Sequence, residues 1–522
     1  MTVAWDADVG PIEVDRGALL HLRERIDAVL DERRDAYIAL LQELVRIPTV
    51  SGAADRRGQQ AYYAAVHDAL AWVRRQADRL GLDYRDHDGI AAVVEWRGRN
   101  PHHGSVGVAA HLDVVPAGDG WSRGAFTGER DDDEVWGRGT QDDKGPVAMA
   151  FAALDVLQAL GIRPDKDVLI LLGTLEETDA WLDIDLLLSR EAPPTVTLVP
   201  DGAFPIVVGE KGILTVAWEA RFDPAPIVDG LRFIAAHAGQ RHNVVPDAAT
   251  LWFACEGDPE AARDRLERLP HVAEVRRVEP PPPAAEGVPC LEALVHGRAA
   301  HGAFPQDGHN AALDALEALR GLLGDHGVGA FAAFLLRHCR DLGGAGLGLD
   351  RSHVRMGGST VNLGVVEAGP QHARAEVNVR FPLGLTVADV EKRFHEAAKR
   401  EGPPLRITAG AEGRPQDPMF VSPEDHPRLI ATLQAAYQAG TGRKPRLASI
   451  PGTTYAKAFP LAVAFGPQDP TAGEPVLAHQ PDERVRIDRY LENIRIYALA
   501  LALLACDPDG LGAPPAPGVP NA

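Results

Sequence analysis

The stretch LLGTLEETDA, residues 171–180, closes an apolar run with two adjacent acids, Glu176 and Glu177. Two carboxylates a few ångströms apart repel by ~4 kcal/mol at an effective dielectric near 20. The run before them reads as the end of a buried strand, so the repulsion calls for a cation. Other apolar runs end in the same manner. SVGVAA (105–110) leads to His111 and Asp113, TVTLVP (195–200) to Asp201, and LAVAFG (461–466) runs on through a loop to His479. GRGTQDDKGP adds Asp142 and Asp143. In open α/β sheets, ligands bind at the carboxyl ends of the strands, where such residues converge.

Two histidines with several carboxylates suit zinc, manganese or cobalt, whereas magnesium and calcium favour oxygen ligands alone. One ion needs about four ligands, and this set is large enough for two. With cations in place, one glutamate becomes a ligand and its neighbour takes a proton from metal-bound water. Taken singly, a His-x-Asp, a glutamate pair or an aspartate after proline is an ordinary feature of turns and surfaces. Four separate strand ends, each with a candidate ligand, carry the case.

The elements that must position these residues follow from the hydrophobic pattern. Residues 17–46 show helical spacing and stop at Pro48. From there to about 212, β-like apolar runs alternate with helix-like stretches, as in an α/β layer. VAMAFAALDVLQAL (147–160) is a helix between the first two runs, entered through Gly145-Pro146. After GEKG (209–212) the texture changes to amphipathic strands, among them ILTVAWEARF, STVNLGVV and ARAEVNVRF, with helices at AALDALEALRGLL and VADVEKRFHEAAKR. This reads as an α+β insertion to about 416, with EPPPP (279–283) as a loop or linker inside it. A helix at 426–438, the strand at 461–466 and a closing helix at 487–505 resume the first domain. The Pro/Gly-rich tail, 507–522, is expected to be disordered. No repeat of solenoid length is present.

Composition narrows the function. The chain of 522 residues is 45% apolar and 24% charged, as in an ordinary globular protein with room for two or three domains. A net charge of −21 argues against nucleic-acid and anionic-membrane partners, which need a basic face. The four cysteines, Cys255, Cys290, Cys339 and Cys506, are widely spaced, which excludes a cysteine-built zinc site and fits a reducing compartment. The start has no secretory pattern and the most apolar helix (496–506) is too short to span a bilayer, so a cytoplasmic protein is expected.

At these motifs the sequence resembles a known family of co-catalytic metallopeptidases, which includes aminoacylases, succinyl-diaminopimelate desuccinylases, carnosinases, carboxypeptidase G and PepV-type dipeptidases. HLDVVPAGDGW, WGRGTQDDKGP, GTLEET and VPDGAFPIVVGEKG stand in family order from 111 to 212. HGRAAHGAFPQDGHNA (296–311), AEVNVRFP (375–382) and His479 continue the series, so the likeness covers roughly residues 35–505. DDKGP and PDGAFPIVVGEKG look most like the PepV-type dipeptidase branch.

The resemblance implies a zinc-peptidase-type catalytic domain with a central mixed sheet (1–212 and 417–506). It also implies an inserted α+β, ferredoxin-like lid (213–416). It implies that Asp142 bridges two metals, that His111 and Asp201 complete one site, and that Glu177 and His479 complete the other. Glu176 would be the general base and acid, with Asp113 orienting His111. The Asp142–Asp143 peptide would be cis. In the lid, Asn243 and His301 resemble residues brought over the metals, with His301 stabilising the oxyanion. Arg380 resembles the arginine that takes the substrate's terminal carboxylate. PGTTYAKA (451–458), with Gly452, Thr453 and Thr454, resembles a loop that helps bind it. Lys457 stands where related dipeptidases often have arginine.

The expected function is therefore that of a dipeptidase with two divalent ions, zinc first and manganese or cobalt as alternatives, acting through metal-bound hydroxide. A monomer is expected, because a long lid lets one chain cover its own site. The rival on the same fold is a deacylase of N-acyl amino acids. The family's dipeptidases carry aspartate at position 201 and its deacylases tend to carry glutamate, so Asp201 favours the dipeptidase. An inactive metal- or peptide-binding relative is the rival from another class, and the presence of Glu176 speaks against it.

Overall fold

A computed structural model describes residues 3–6, 16–52, 56–178, 180–278, 289–402 and 405–506. The proline run at 279–283 and the tail 507–522 lie outside the described residues. The chain divides into two compact units. One comprises Ala4–Gly209, Phe420–Ser449 and the chain from Thr453. The other comprises Glu210–Met419 with Ile450–Gly452 and the first residues.

In the first unit, the apolar runs form the middle of a mixed sheet. Four strands, Ala462–Ala464, Val196–Val199, Ser105–His111 and Asp167–Gly173, lie side by side and parallel. Ala91–Trp96 and Asp83–His87 continue antiparallel on one side, and Ile206–Glu210 pairs antiparallel with Ala462–Ala464 on the other. The parallel strands are almost wholly buried, as near-continuous Val/Leu/Ile runs require. The chain passes from Ser105–His111 to a neighbour on one side and then returns to the other side. That reversal opens a crevice at the strand ends.

The helix Lys144–Ala159 is apolar around most of its circumference and packs in the core beside Arg34–Val45 and Ile487–Ala505. Its internal acid, Asp155, is tolerable there because Arg33 (2.7 Å), Arg79 (2.8 Å) and the Tyr37 hydroxyl (2.8 Å) all donate to it. This pairing bears on the one helix expected over 17–46. The structure divides that segment into Arg16–Glu32 and Arg34–Val45, with Arg33 (φ −106°) between them reaching Asp155. The break thus falls at the residue whose side chain pairs with Asp155.

The second unit is an eight-stranded antiparallel sheet. Its order is Val272–Val278, Cys290–His296, Ala248–Cys255, Leu231–Ala238, Thr360–Ala368, His372–Phe381, Gly212–Arg221, Arg406–Gln416. Alternate residues Leu214, Val216, Trp218 and Ala220 enter a core shared with the helices Ala311–Leu323, Val328–Cys339 and Val387–Arg400. Trp218 packs against Phe334 and Phe394 at ring distances of 4.7 Å each. Burying one such side chain stabilises by roughly 1.5–3 kcal/mol. Gly212, which ends the GEKG motif, pairs with Phe381, whose ring fills the space that a Cβ would need.

Candidate metal centre

The candidate ligands of the first unit stand at the carboxyl ends of its parallel strands. His111 closes its strand, in register with Gly173, and the Glu176–Glu177 turn follows Gly173 directly. Asp201 comes two residues after Val199, and Asp142 precedes the central helix. His479 arrives on the loop between Ala464 and the strand Arg484–Arg486. The Asp142–Asp143 peptide is cis.

These side chains form two triplets that share one residue: His111, Asp142 and Asp201, and Asp142, Glu177 and His479. Asp142 offers a different oxygen to each. Its Oδ1 lies 3.0 Å from His111 Nε2, and its Oδ2 lies 3.0 Å from His479 Nε2. Asp201 is 3.9 Å from His111 Nε2, and Glu177 is 2.9 Å from His479 Nε2. Two tetrahedral zinc ligands at 2.0–2.1 Å from their ion lie about 3.3 Å from each other, so these spacings suit shared ions. Among the described residues, His111 Nε2 and Asp142 Oδ1 are buried without a hydrogen-bond partner. Buried polar atoms left in that way fit a cation between them. Asp143 belongs to neither triplet; its Oδ2 accepts the His111 main-chain N–H at 3.1 Å.

The charges are strongly perturbed in the metal-free chain. Burial pushes the His111 imidazole down, but the negative carboxylates of Asp113 and Asp142 beside it outweigh that and hold it well above the usual range. His479 behaves alike: burial opposes, the carboxylates of Asp142 and Glu177 prevail, and its pKa rises to about 11. Asp142, although burial disfavours its charge, is held well below the carboxylate range by the two imidazoles. Glu176 goes the other way. Burial first, and then the charge of Asp201, raise its carboxyl well above the ordinary value. Glu176 belongs to neither triplet.

The turn that carries the glutamates is held from two sides. The Asp113 carboxylate accepts the N–H of Glu176 (3.1 Å) and of Glu177 (3.0 Å). His111 Nδ1 meets the Asp113 main-chain carbonyl at 3.0 Å, with the carboxylate at 3.5 Å. Asp113 thus steadies both the histidine and the glutamate turn. On the far side, Asp183 Oδ2 accepts the N–H of Thr174 (2.5 Å) and Leu175 (2.6 Å) and the Tyr455 hydroxyl (2.5 Å). Gly173 is required beside them, because a Cβ there would strike Tyr455 and Asp183. Sequence reasoning passed over Asp183 and Tyr455, and also Arg138, Gln141 and Glu483. Glu483 ends the same LAHQPDE stretch that supplied His479, and Tyr455 stands within PGTTYAKA.

In the second unit, Val244 pairs with His301, and Gly302 N–H donates to the Asn243 carbonyl at 2.7 Å, so Asn243 and His301 are neighbours. His301 Nδ1 accepts the Ala303 N–H at 3.0 Å, which makes Nε2 the protonated nitrogen of the neutral ring. Arg380 is buried. It donates to Asn378 Oδ1 (2.9 Å) and the Pro451 carbonyl (3.1 Å), and no carboxylate pairs with it among the described residues. Burial pushes its pKa down to about 10. Lys211, pushed down to about 8 by burial and by the charge of Arg380, lies near it. A Cβ at Gly452 would stand in ordinary contact with the Ile450 side chain, at 3.5 Å. The Thr454 hydroxyl caps the short turn Tyr455–Ala458 through the Ala456 N–H (3.1 Å), and Thr453 precedes it.

Residues 107–503 match the model of peptidase family M20/M25/M40. The Bacillus subtilis (strain 168) protein named "Putative dipeptidase YtjP" is 30% identical over 475 residues, 91% of this chain and 98% of the relative. "Putative dipeptidase MW1694" of Staphylococcus aureus (strain MW2) is 29% identical over 92% of this chain and 99% of its own. Among solved structures, human carnosine dipeptidase 1 aligns with a TM-score of 0.54 at 16% identity, covering 92% of this chain and 99% of that one. Dug1p of Saccharomyces cerevisiae, a di-peptidase, aligns with a TM-score of 0.53 at 15% identity, covering 93% and 98%. At such identities these structures speak for the fold alone, a mixed α/β architecture. No helix among the described residues is long and apolar enough to cross a membrane. With the family model matching most of the sequence and a relative 30% identical over nearly its whole length, the chain belongs to peptidase family M20/M25/M40 and is a metallopeptidase, a hydrolase acting on peptide bonds.

Proposed function

We propose that the protein is a dipeptidase that works with two divalent cations, zinc in the first place. The observation that carries this reading is Asp142, whose two carboxylate oxygens face two different histidines at 3.0 Å each. His111, Asp142 and Asp201 would hold one ion, and Asp142, Glu177 and His479 the other. Such ions would supply Lewis acidity to the reaction.

The chain's own residues do the rest. Glu176 takes the proton of the attacking water and delivers it to the leaving amine, a task suited to a carboxyl whose pKa burial already raises. Asp113 keeps Glu176, Glu177 and His111 aligned through the contacts described above. His301, with its proton on Nε2, donates to the developing oxyanion, and Asn243 beside it assists. Arg380 takes the free carboxylate of the dipeptide, with the loop of Gly452, Thr453 and Thr454 alongside. Its burial without a carboxylate partner among the described residues supports that role. In this reading the 210–419 unit is the lid, the chain acts as a monomer, and four free thiols accord with the cytoplasm.

The test is to strip the purified protein of metal, reload it with Zn²⁺, Mn²⁺ or Co²⁺, and assay dipeptides and N-acetyl amino acids in parallel. Metal-dependent cleavage of dipeptides is expected. Turnover confined to N-acetyl amino acids would replace this reading with that of a deacylase.

A further inference from the structure

Glu483 lies four residues beyond His479 in the same loop and is fully buried. A carboxylate persists in such a place only where donors surround it. Its Oε1 accepts the main-chain N–H groups of Gly139 (3.0 Å), Gln141 (2.8 Å) and Asp142 (3.3 Å). Its Oε2 meets Arg138 Nη1 at 2.6 Å. Arg138, equally buried, donates further to the carbonyls of Gln480 (3.1 Å), Pro116 (3.4 Å) and Ala117 (3.4 Å). Gly137 N–H donates to the Glu483 carbonyl at 2.9 Å. Gln141 adds its own ties: Nε2 donates to the Arg484 carbonyl and Oε1 accepts the Leu477 N–H, both at 2.9 Å.

Three segments meet in this network: the loop after His111, the loop that ends in Asp142, and the loop that holds His479. His479 itself has φ +65°, a conformation that a non-glycine residue keeps only where its surroundings impose it. A buried ion pair adds little stability over an apolar replacement, and its attested use is to select one arrangement. We infer that Glu483 is a positioning residue of the metal centre: with Arg138 and Gln141 it locks the Asp142 loop to the His479 loop and so sets the spacing of Asp142 between the two histidines. The inference rests on the ligand assignment made above. His111 stands on a sheet strand and has that support as well. The effect of Glu483 therefore falls mainly on the ion held by Asp142, Glu177 and His479.

The experiment titrates Co²⁺ into the metal-free full-length protein, wild type and Glu483→Gln, against a chromophoric chelator, and records the Co²⁺ absorption spectrum and the melting temperature. Glutamine keeps the shape but turns an N–H₂ group toward Arg138, so donor faces donor. Wild type should take up two ions. Glu483→Gln should hold one of them about 10- to 100-fold more weakly, with an altered spectrum. Gln141→Ala, which leaves the buried pair intact, should give a smaller loss at the same ion, and it carries the test if Glu483→Gln does not fold. A lowered melting temperature with both affinities and the spectrum as in wild type would overturn the inference. Wild type that binds no Co²⁺ would overturn the ligand assignment, and this inference with it.

Discussion

The two units of this molecule treat buried charge in opposite ways. In the first, acids outnumber bases around one crevice: Asp113, Asp142, Glu176, Glu177 and Asp201 share it with two histidines. In the second, Arg380 is buried with, among the described residues, an amide oxygen and a carbonyl for partners, and Lys211 adds to the positive charge nearby. Each arrangement is costly in isolation, because burial penalises charge that is not neutralised. In the proposed reading each cluster has the sign opposite to that of its ligand: cations for the acids, a carboxylate for Arg380.

The largest effect that would break this comparison concerns the paired glutamates. Glu176→Ala should lower turnover by about 10²–10⁴-fold while the reloaded protein keeps its metal, because a base is lost and no ligand is. Glu177→Ala should lose metal as well. Metal analysis alongside kinetics distinguishes them, and loss of metal from Glu176→Ala with activity regained on reloading would reverse the two roles.

Arg380→Ala tests the opposite surplus. A bidentate, charge-assisted contact is worth about 1.5–3 kcal/mol, or roughly 10- to 150-fold in kcat/KM. The loss should appear with free-acid dipeptides and be small with the corresponding C-terminal amides. Equal losses on both would make Arg380 a support of its own sheet.

The smallest effect sharpens the account of the first unit. His111 and His479 hold their protons far above the ordinary histidine range, His479 to about 11. A histidine whose folded pKa is raised stabilises the metal-free fold in full below about pH 6.5, and the contribution is lost as pH rises through the folded value. Near neutrality both rings are therefore still charged, and a cation must displace those protons. Apparent Zn²⁺ affinity should rise between pH 6 and 8 by up to about tenfold per unit for each proton displaced. Calorimetry in buffers of different ionisation enthalpy should count about two protons released. Affinity that is flat with pH would mean that the histidines are not ligands.

Much of this was legible in the sequence because strand ends are local events. The apolar run at 105–110 and the one that ends before Glu176 become the strands Ser105–His111 and Asp167–Gly173, and the closing helix spans Ile487–Ala505. Their pattern alone required burial, and the polar residues that follow had to emerge at an edge. Less legible were elements defined by distant partners. The break falls at Arg33, whose partner Asp155 is 122 residues away, and the strands Leu231–Ala238 and Arg406–Gln416 take their place from sheet neighbours rather than from a strong alternation of their own.

What the sequence determined by itself was the inventory: which acids and histidines would stand at the strand ends, and that a second, α+β region interrupts the α/β one. Only the tertiary structure decided which oxygen of Asp142 faces which histidine, and that Glu177 meets a ring 302 residues away. It also decided that Asp143 turns to the His111 backbone and that Glu483 binds the Asp142 loop. Residue types and periodicity dictate burial and local geometry. The direction in which a carboxylate points depends on donors brought from other parts of the chain, and those are placed only when the chain has folded.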